Sequence, residues 1–477
     1  MYNMMILAIG RSVHILLTFL TIKIATTFLL PSEMAKVYLI SSVVAFFSSV
    51  FVSPVGLFIN RKINIWNSDA RIRQYFNLFF VYLLLCSVFS ALMSNVAISI
   101  QLINIHTDKL IGLVIILLSF VALNFNSTCI PSLNIIGFQV PFLVLSVLTS
   151  LSSLVLAITF TNLNHAKTSE VWMSGIICGQ LLIGIIGLKI LYGKIPQKVQ
   201  RTVSVALTFE HYKNLFHFAW PVSLGAFLSW LQTQSYRFIS ESAIGLHDLG
   251  IFAAGYAIGS GIMAGIESIL TSYFQPKLYK DIGVTQSEHQ VSAFSQYINA
   301  LLPTYFLVGF TLSSMAPELS VLFLGPMYRE SANFLLFGIF AEVCRVTASV
   351  FAMGAHIRMK TRPLLIPTIA GTVTLLILLT YLTPLLKSHG IGYALVIAGI
   401  VSMVSTYLVI RHAILMRISY SLLFFSVLYG LLIVILQYLW YDFFQINDYK
   451  NIYLTIGFSL ILYFPIQFLI LKSHISN

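Results

Sequence analysis

Apolar runs of 18 or more residues recur from residue 1 to residue 471, and this recurrence limits the possible folds more than any other feature of the chain. A helix needs about 20 mostly apolar residues to cross the hydrocarbon core of a bilayer. Inside lipid the backbone must satisfy its own hydrogen bonds, so only helices and closed barrels span it. Barrel strands alternate apolar and polar positions, whereas the runs here are continuous. The expected fold class is an all-α polytopic membrane protein. Composition agrees, with 58% hydrophobic residues, 9% charged residues and a mean hydropathy of +0.91, against about 25% charged residues in a soluble domain.

The runs mark about 14 transmembrane helices, at 5–30, 37–59, 75–98, 110–129, 141–161, 171–188, 216–240, 250–275, 292–314, 332–353, 365–383, 391–410, 421–440 and 452–471. The longest polar stretch, near 189–214, is too short to build a core of its own. No outer loop has room for a catalytic or receptor domain, so function is expected to reside within the bundle. The first ten residues carry no side-chain positive charge and the apolar run continues to about Leu30, unlike a cleaved signal. Cys86, Cys129, Cys178 and Cys344 are scattered without metal-ligand spacing and read as packing residues; no metal or cofactor is expected.

The net charge of +12 carries topology rather than nucleic-acid binding. With the N-terminus in the cytoplasm, 17 of the 27 Lys and Arg residues fall in loops on that side or in the C-terminal tail. Six lie on the opposite side, and four within the spans. Such a bias over short loops predicts that both ends are cytoplasmic. The stretch at 193–214 reads as a cytoplasmic linker between an N-terminal six-helix bundle (1–192) and a C-terminal one (215–410), with two extra helices at 411–477. An offset of 215 aligns Val37 with Phe252 and Lys62 with Lys277, the weak internal similarity of a two-repeat transporter whose substrate lies between the halves.

Charges inside the spans are the functional clue, because each costs about 2.5–3.5 kcal/mol at a helix centre on insertion scales. They are Arg11, Lys23, Arg237, Glu267, Glu342 and Arg345. Four cations against two acids suggest a polar path that prefers an anion. Arg11, His14, Thr18 and Thr21 share one helical face by spacing, as do Trp230, Gln234 and Arg237 with Gln232 close by. Tyr256, Ser260, Met263, Glu267 and Thr271 form another stripe, and Glu342, Arg345 and Ser349 a fourth. The bland readings stand beside these. Lys23, and equally Arg237 near its span's outer end, reads as snorkelling to the interface. Glu342 and Arg345, three residues apart, read as a mutually neutralising pair. Arg11 and Glu267 have no obvious local partner. Gly175/Gly179, Gly255/Gly259 and Gly261/Gly265 are small-xxx-small pairs that permit close helix approach. Pro54, Pro141, Pro221 and Pro303 are candidate kinks.

From span 7 onward the text resembles a known family. Phe218-Ala219-Trp220-Pro221-Val222-Ser223-Leu224-Gly225, Trp230, Tyr236-Arg237-Phe238-Ile239, Leu249 to Tyr256 and Phe274-Gln275-Pro276-Lys277-Leu278-Tyr279 are similar to the polysaccharide-transporter branch of the multidrug/oligosaccharidyl-lipid/polysaccharide exporter superfamily, the O-antigen flippases of the Wzx type. Those proteins usually carry an Asp-Arg pair at the end of span 7; here Tyr236 replaces the Asp. The resemblance implies two MATE-like six-helix bundles plus two helices, in the bacterial inner membrane. It further implies flipping of an undecaprenyl-diphosphate-linked oligosaccharide to the periplasmic leaflet, with a polysaccharide polymerase and a chain-length regulator as partners. Arg11, Arg237 and Arg345 would meet the phosphates, and His14, Thr18, Thr21, Asn124, Gln232 and Gln234 would complete the cavity. Glu267 and Glu342, the only acids within the spans, would couple transport to an ion. The extra helices would wall a groove for the isoprenoid tail, as in the related lipid II flippases. A multidrug/cation antiporter, a membrane-embedded polymerase or glycosyltransferase, and a lipid scramblase or assembly protein are the competing readings.

Overall fold

The computed structural model describes residues 2–68, 72–101, 103, 107–194, 209–282, 287–358, 360, 362–444 and 455–463. Side chains are described throughout these except at residues 2–9, 11, 61, 62, 64–68, 72, 209–212, 214, 287, 288 and 441–444. Among them every regular element is helical. Among the described residues, nine helices are long and apolar enough to cross a membrane, or ten if one sharply bent pair is counted as a single span. The chain separates into two compact units, Met1–Phe238 and Ile239–Asn477.

The first unit holds α1 (Tyr2–Phe28), α2 (Pro31–Phe47), α3 (Ser53–Ser68), α4 (Ile72–Ser99), α5 (Lys109–Ile135), α6 (Gln139–Leu163), α7 (Ser169–Lys194) and α8 (Phe209–Gln234). Between α2 and α3, Ser48–Val52 widens to a π-helical turn. Pro54 lies just beyond it and has no N–H for the carbonyl four residues back, a fault that a wider turn absorbs. Pro141 stands in the first turn of α6, where no helical hydrogen bond is lost, so it makes no kink. Pro221 and Pro303 lie inside their helices. Ile63, Phe76, Ile130, Leu133, Leu145, Ile183 and Leu191 form a core cluster. The tightest contact is between α6 and α7. A Cβ on Gly179 would stand 2.5 Å from the Ser153 backbone, and one on Gly175 would collide with Ala157. That is the close approach expected of the small pair. Cys129 is buried as expected, but Cys178 is exposed on the outer side of α7, so packing does not explain it.

The second unit holds most of α9 (Tyr236–Ile282), then α10 (Ser287–Ser314), α11 (Ala316–Phe323), α12 (Ala332–Ile357), α13 (Leu365–Arg411) and α14 (Tyr420–Phe444), with 455–463 also helical. Gly255 and Gly259 bring α9 against α12, where Gly338 returns the contact at Tyr256. Helices α9 and α13 each run for 47 residues, about 70 Å if straight and twice the bilayer core. Neither is straight. Gly245 in α9 has φ 80° and ψ 167°, a conformation that is essentially glycine's alone. Lys387 in α13 has φ 51° and ψ −131°, and the chain folds back there so closely that Gly390 meets the carbonyl of Leu382. Helix α10 turns by 72° into α11 at Met315.

Leu85, Leu92, Leu385, Leu415, Phe424 and Ile461 are among many large apolar side chains facing outward. Water would penalise such a surface, whereas lipid is an equally apolar solvent for it. Helix α8, placed by sequence in the second half, packs on α2 and α3. The sequence-based division at 193–214 falls mostly on 195–208, outside the described residues.

Candidate functional site

Three groups of polar side chains stand inside the helices, two in the first unit and one in the second. The first is built round Ser42 of α2. Trp230 Nε1 donates to the Ser42 carbonyl at 2.9 Å, and the Ser42 hydroxyl lies 3.1 Å from Gln234 Oε1, an acceptor for it. Arg237 Nη1 donates to Ser42 Oγ at 2.7 Å and to the Tyr38 carbonyl at 3.3 Å. The three residues that share a face by sequence spacing thus converge on one serine. Arg237 is 8% exposed, so it does not snorkel. Its Nε donates to Tyr236 Oη at 3.1 Å, and its guanidinium lies 4.9 Å from the Tyr38 ring centre and 5.5 Å from that of Tyr236. Tyr236, standing where the resembling family has Asp, therefore supplies a phenol oxygen and a ring face in place of a carboxylate. No acid among the described residues pairs with Arg237, and Nη2 is left without a partner among them. The charge is solvated by neutral dipoles and ring quadrupoles, not cancelled.

The second group corrects the expectation for Glu267. Arg345 Nη2 donates to Glu342 Oε1 at 2.7 Å, one turn away on α12, and also pairs with Glu267 Oε2 from α9. Glu267 therefore has a partner, which sequence spacing could not reveal because it comes from 78 positions away. Two carboxylates share one guanidinium, so the triad carries a net charge of −1 with all three groups ionised. Glu342 and Glu267 are largely buried at 10% and 18%, and Arg345 is 42% exposed. Arg345 is committed to acids and has less to offer a phosphate than a lone cation would.

The third group lines an open cavity of about 390 Å³ between α1, α5, α6 and α7. His14, Thr18 and Thr21 of α1 all face it, as their shared stripe predicts, opposite Asn126 of α5, Thr149 of α6 and Gln180 of α7. The backbone of Arg11 lies one turn before His14, but its side chain is outside the described residues.

Other expectations land elsewhere. Asn124 spends both amide hydrogens within the protein, on Ser48 Oγ and the Phe120 carbonyl, both at 2.8 Å. It pins α5 to the π-turn rather than lining the cavity. Gln232 is half-buried on α8, and Lys23 is half-buried on α1. Glu318 of α11 falls outside the expected spans, because the ninth apolar run ends at residue 314. It is 4% exposed and its Oε2 has no partner, a third buried acid beside the two expected. The signal was available in Pro317, a residue suited to starting a second short helix.

Neither the family profiles nor the curated proteins compared with this sequence match it. Solved structures do match the fold. A lipid II flippase, MurJ, in an inward closed conformation superposes with a TM-score of 0.67 over 99% of both chains at 14% identity. An inward-facing multidrug-resistance MATE transporter of the MOP superfamily gives 0.54 at 17% identity, covering 85% of this chain and 93% of its own. A MOP-superfamily transporter from Pyrococcus furiosus, whose binding pocket is described as reversed in polarity, gives 0.54 at 16% identity over 86% and 95%. At such identities the likeness is one of fold.

Proposed function

We propose that this chain is a transporter and not an enzyme: a flippase that carries an oligosaccharide linked to undecaprenyl diphosphate from the cytoplasmic to the periplasmic leaflet of a bacterial inner membrane. The observation that carries the reading is Arg237. Burying a guanidinium without a carboxylate is expensive, and the arrangement makes sense where an anionic group completes the site. Arg237 would meet the diphosphate through Nη2, joined by Arg11; a hydrogen bond from a charged guanidinium to a phosphate oxygen is among the strong ones.

The shared fold supports a carrier of lipid-linked cargo. The lipid II flippase aligns over 99% of the chain, whereas the multidrug-resistance MATE transporter and the Pyrococcus furiosus transporter leave about a seventh of it unmatched. That remainder is about the length of 411–477, the segment proposed to wall the isoprenoid tail. Both termini would lie in the cytoplasm. The triad of Glu267, Arg345 and Glu342 would be the ion-coupling element, since its spare negative charge can take a proton or a cation. A polymerase and a chain-length regulator would receive the product. The same spare charge favours the runner-up, a cation antiporter, but the uncancelled Arg237 does not fit a cationic cargo.

The test is made in the host strain. Arg237→Ala at normal protein level should abolish surface polysaccharide and cause its lipid-linked precursor to accumulate, while Arg237→Lys retains part of the output. Normal polymer from Arg237→Ala would overturn the reading.

A further inference from the structure

We propose that the cavity between α1, α5, α6 and α7 binds an uncharged, hydroxyl-rich ligand, namely the saccharide part of the cargo. Only the source of the sugar rests on the function proposed above; the chemistry of the wall stands apart from it.

The argument concerns where protons point. A hydroxyl has one proton to donate and two lone pairs. Thr18 gives its proton to the His14 carbonyl at 3.0 Å and Thr21 to that of Leu17 at 2.8 Å. Ser146 and Thr149 give theirs to Phe142 and Leu145, both at 2.8 Å. Ser127 and Ser153 bond to the carbonyls of Asn124 at 3.2 Å and Ile176 at 3.3 Å. All six residues line the cavity, and toward it their hydroxyls have only lone pairs left.

Two further groups add to the same side of the balance. Asn126 is 8% exposed; its Nδ2 donates to the Gln180 carbonyl at 2.5 Å, and its Oδ1 has no partner among the described residues. Pro131, also in the wall, has no N–H for the carbonyl of Ser127 four residues earlier in α5. The cavity is thus rich in acceptors and poor in donors.

Such a wall disfavours phosphate and carboxylate, which only accept. It suits a molecule that brings its own donors, and two classes do so: cations and polyols. No acid lies among the described lining residues to compensate a cation. The 390 Å³ volume is many times the roughly 30 Å³ share of one water and falls within the range of small-molecule sites. Both facts favour a polyol. His14, Ser150 and Gln180 in the wall can answer the ring and acetamido oxygens of a sugar.

The test uses the purified full-length protein in lipid nanodiscs, with saturation-transfer NMR on glucose, galactose, N-acetylglucosamine and their short oligomers. At least one of these should bind the unmodified protein. Thr149→Val with Ser146→Ala, which removes acceptors at near-constant volume, and separately Asn126→Leu, should each weaken that binding by roughly tenfold. Unchanged binding in both well-folded variants overturns the proposal, as does displacement of the sugar by sodium or tetramethylammonium. Sugar-free undecaprenyl diphosphate is titrated in parallel. Binding of the lipid without any sugar defeats the cavity proposal and leaves the flippase reading standing; binding of sugar without the lipid does the reverse.

Discussion

Two intramembrane arginines, Arg237 buried and Arg345 42% exposed, are held in opposite ways, and the contrast decides what each can do. Arg237 rests on Ser42, a backbone carbonyl and two tyrosine rings, so its charge is solvated while its field remains. Arg345 faces two carboxylates, so its field is more than cancelled. Removing the arginine of the triad would leave two acids facing each other. Losing one member of a fully buried pair costs roughly 3–5 kcal/mol, and less is expected here because Arg345 is 42% exposed. In thermal unfolding, Arg345→Ala should be clearly less stable than the parent. Glu267→Gln should be close to neutral, because it leaves the one-to-one pair with Glu342. Adding Glu267→Gln to Arg345→Ala should recover part of the loss. If both single variants melt with the parent, the triad is not a connected charge network. In a transport assay Glu267→Gln should also blunt the dependence on the driving ion, as coupling through the triad requires.

Among the elements, close packing is made by small residues and helix ends by local chemistry. Helices α6 and α7 touch backbone to backbone at Gly179 and Ser153, and Ser153 also lines the polar cavity. Gly179→Leu should therefore separate the helices, lower the folded yield and open the cavity. The control is Gly193 in the same helix, where an added Cβ meets nothing within 4 Å. Gly193→Ala should be neutral or raise stability by about 0.5–1 kcal/mol, through reduced backbone freedom in the unfolded chain. Equal damage from both substitutions would refute the packing account. At the start of α7 the Ser169 N–H donates to Glu33 Oε2 at 2.8 Å, while Lys36 pairs with the other carboxylate oxygen at 2.7 Å. An acid from the first turn of α2 thus takes one of the free N–H groups at the start of α7.

For the whole molecule the open quantity is orientation, which loop charges predict and the fold alone does not. Alkaline phosphatase fused after Lys109 or Lys387 should be active in the periplasm. The same reporter after Arg362 or at the C-terminus should be inactive. The reverse pattern would invert the topology and, with it, the direction proposed for the cargo. The two compact units divide at Phe238, and α8 has its contacts with α2 and α3.

The helical membrane class was legible from residue order alone, because a bilayer penalises every unpaired backbone group and long apolar runs leave helix as the one solution. Shared faces were legible for the same reason of local geometry: the 3.6-residue period brought Thr18 and Thr21 to one cavity and Trp230, Gln234 and Arg237 to one serine. What sequence could not decide was partnership across helices. Glu267 lacks a partner by spacing and gains Arg345 by packing; Asn124 is expected at the cavity and is spent on Ser48 and the Phe120 carbonyl. Glu318 lies between two expected spans and is buried. Such contacts join residues dozens to hundreds of positions apart, so only the packed fold settles which charges cancel, which hydroxyls are already satisfied, and hence which groups remain for a ligand.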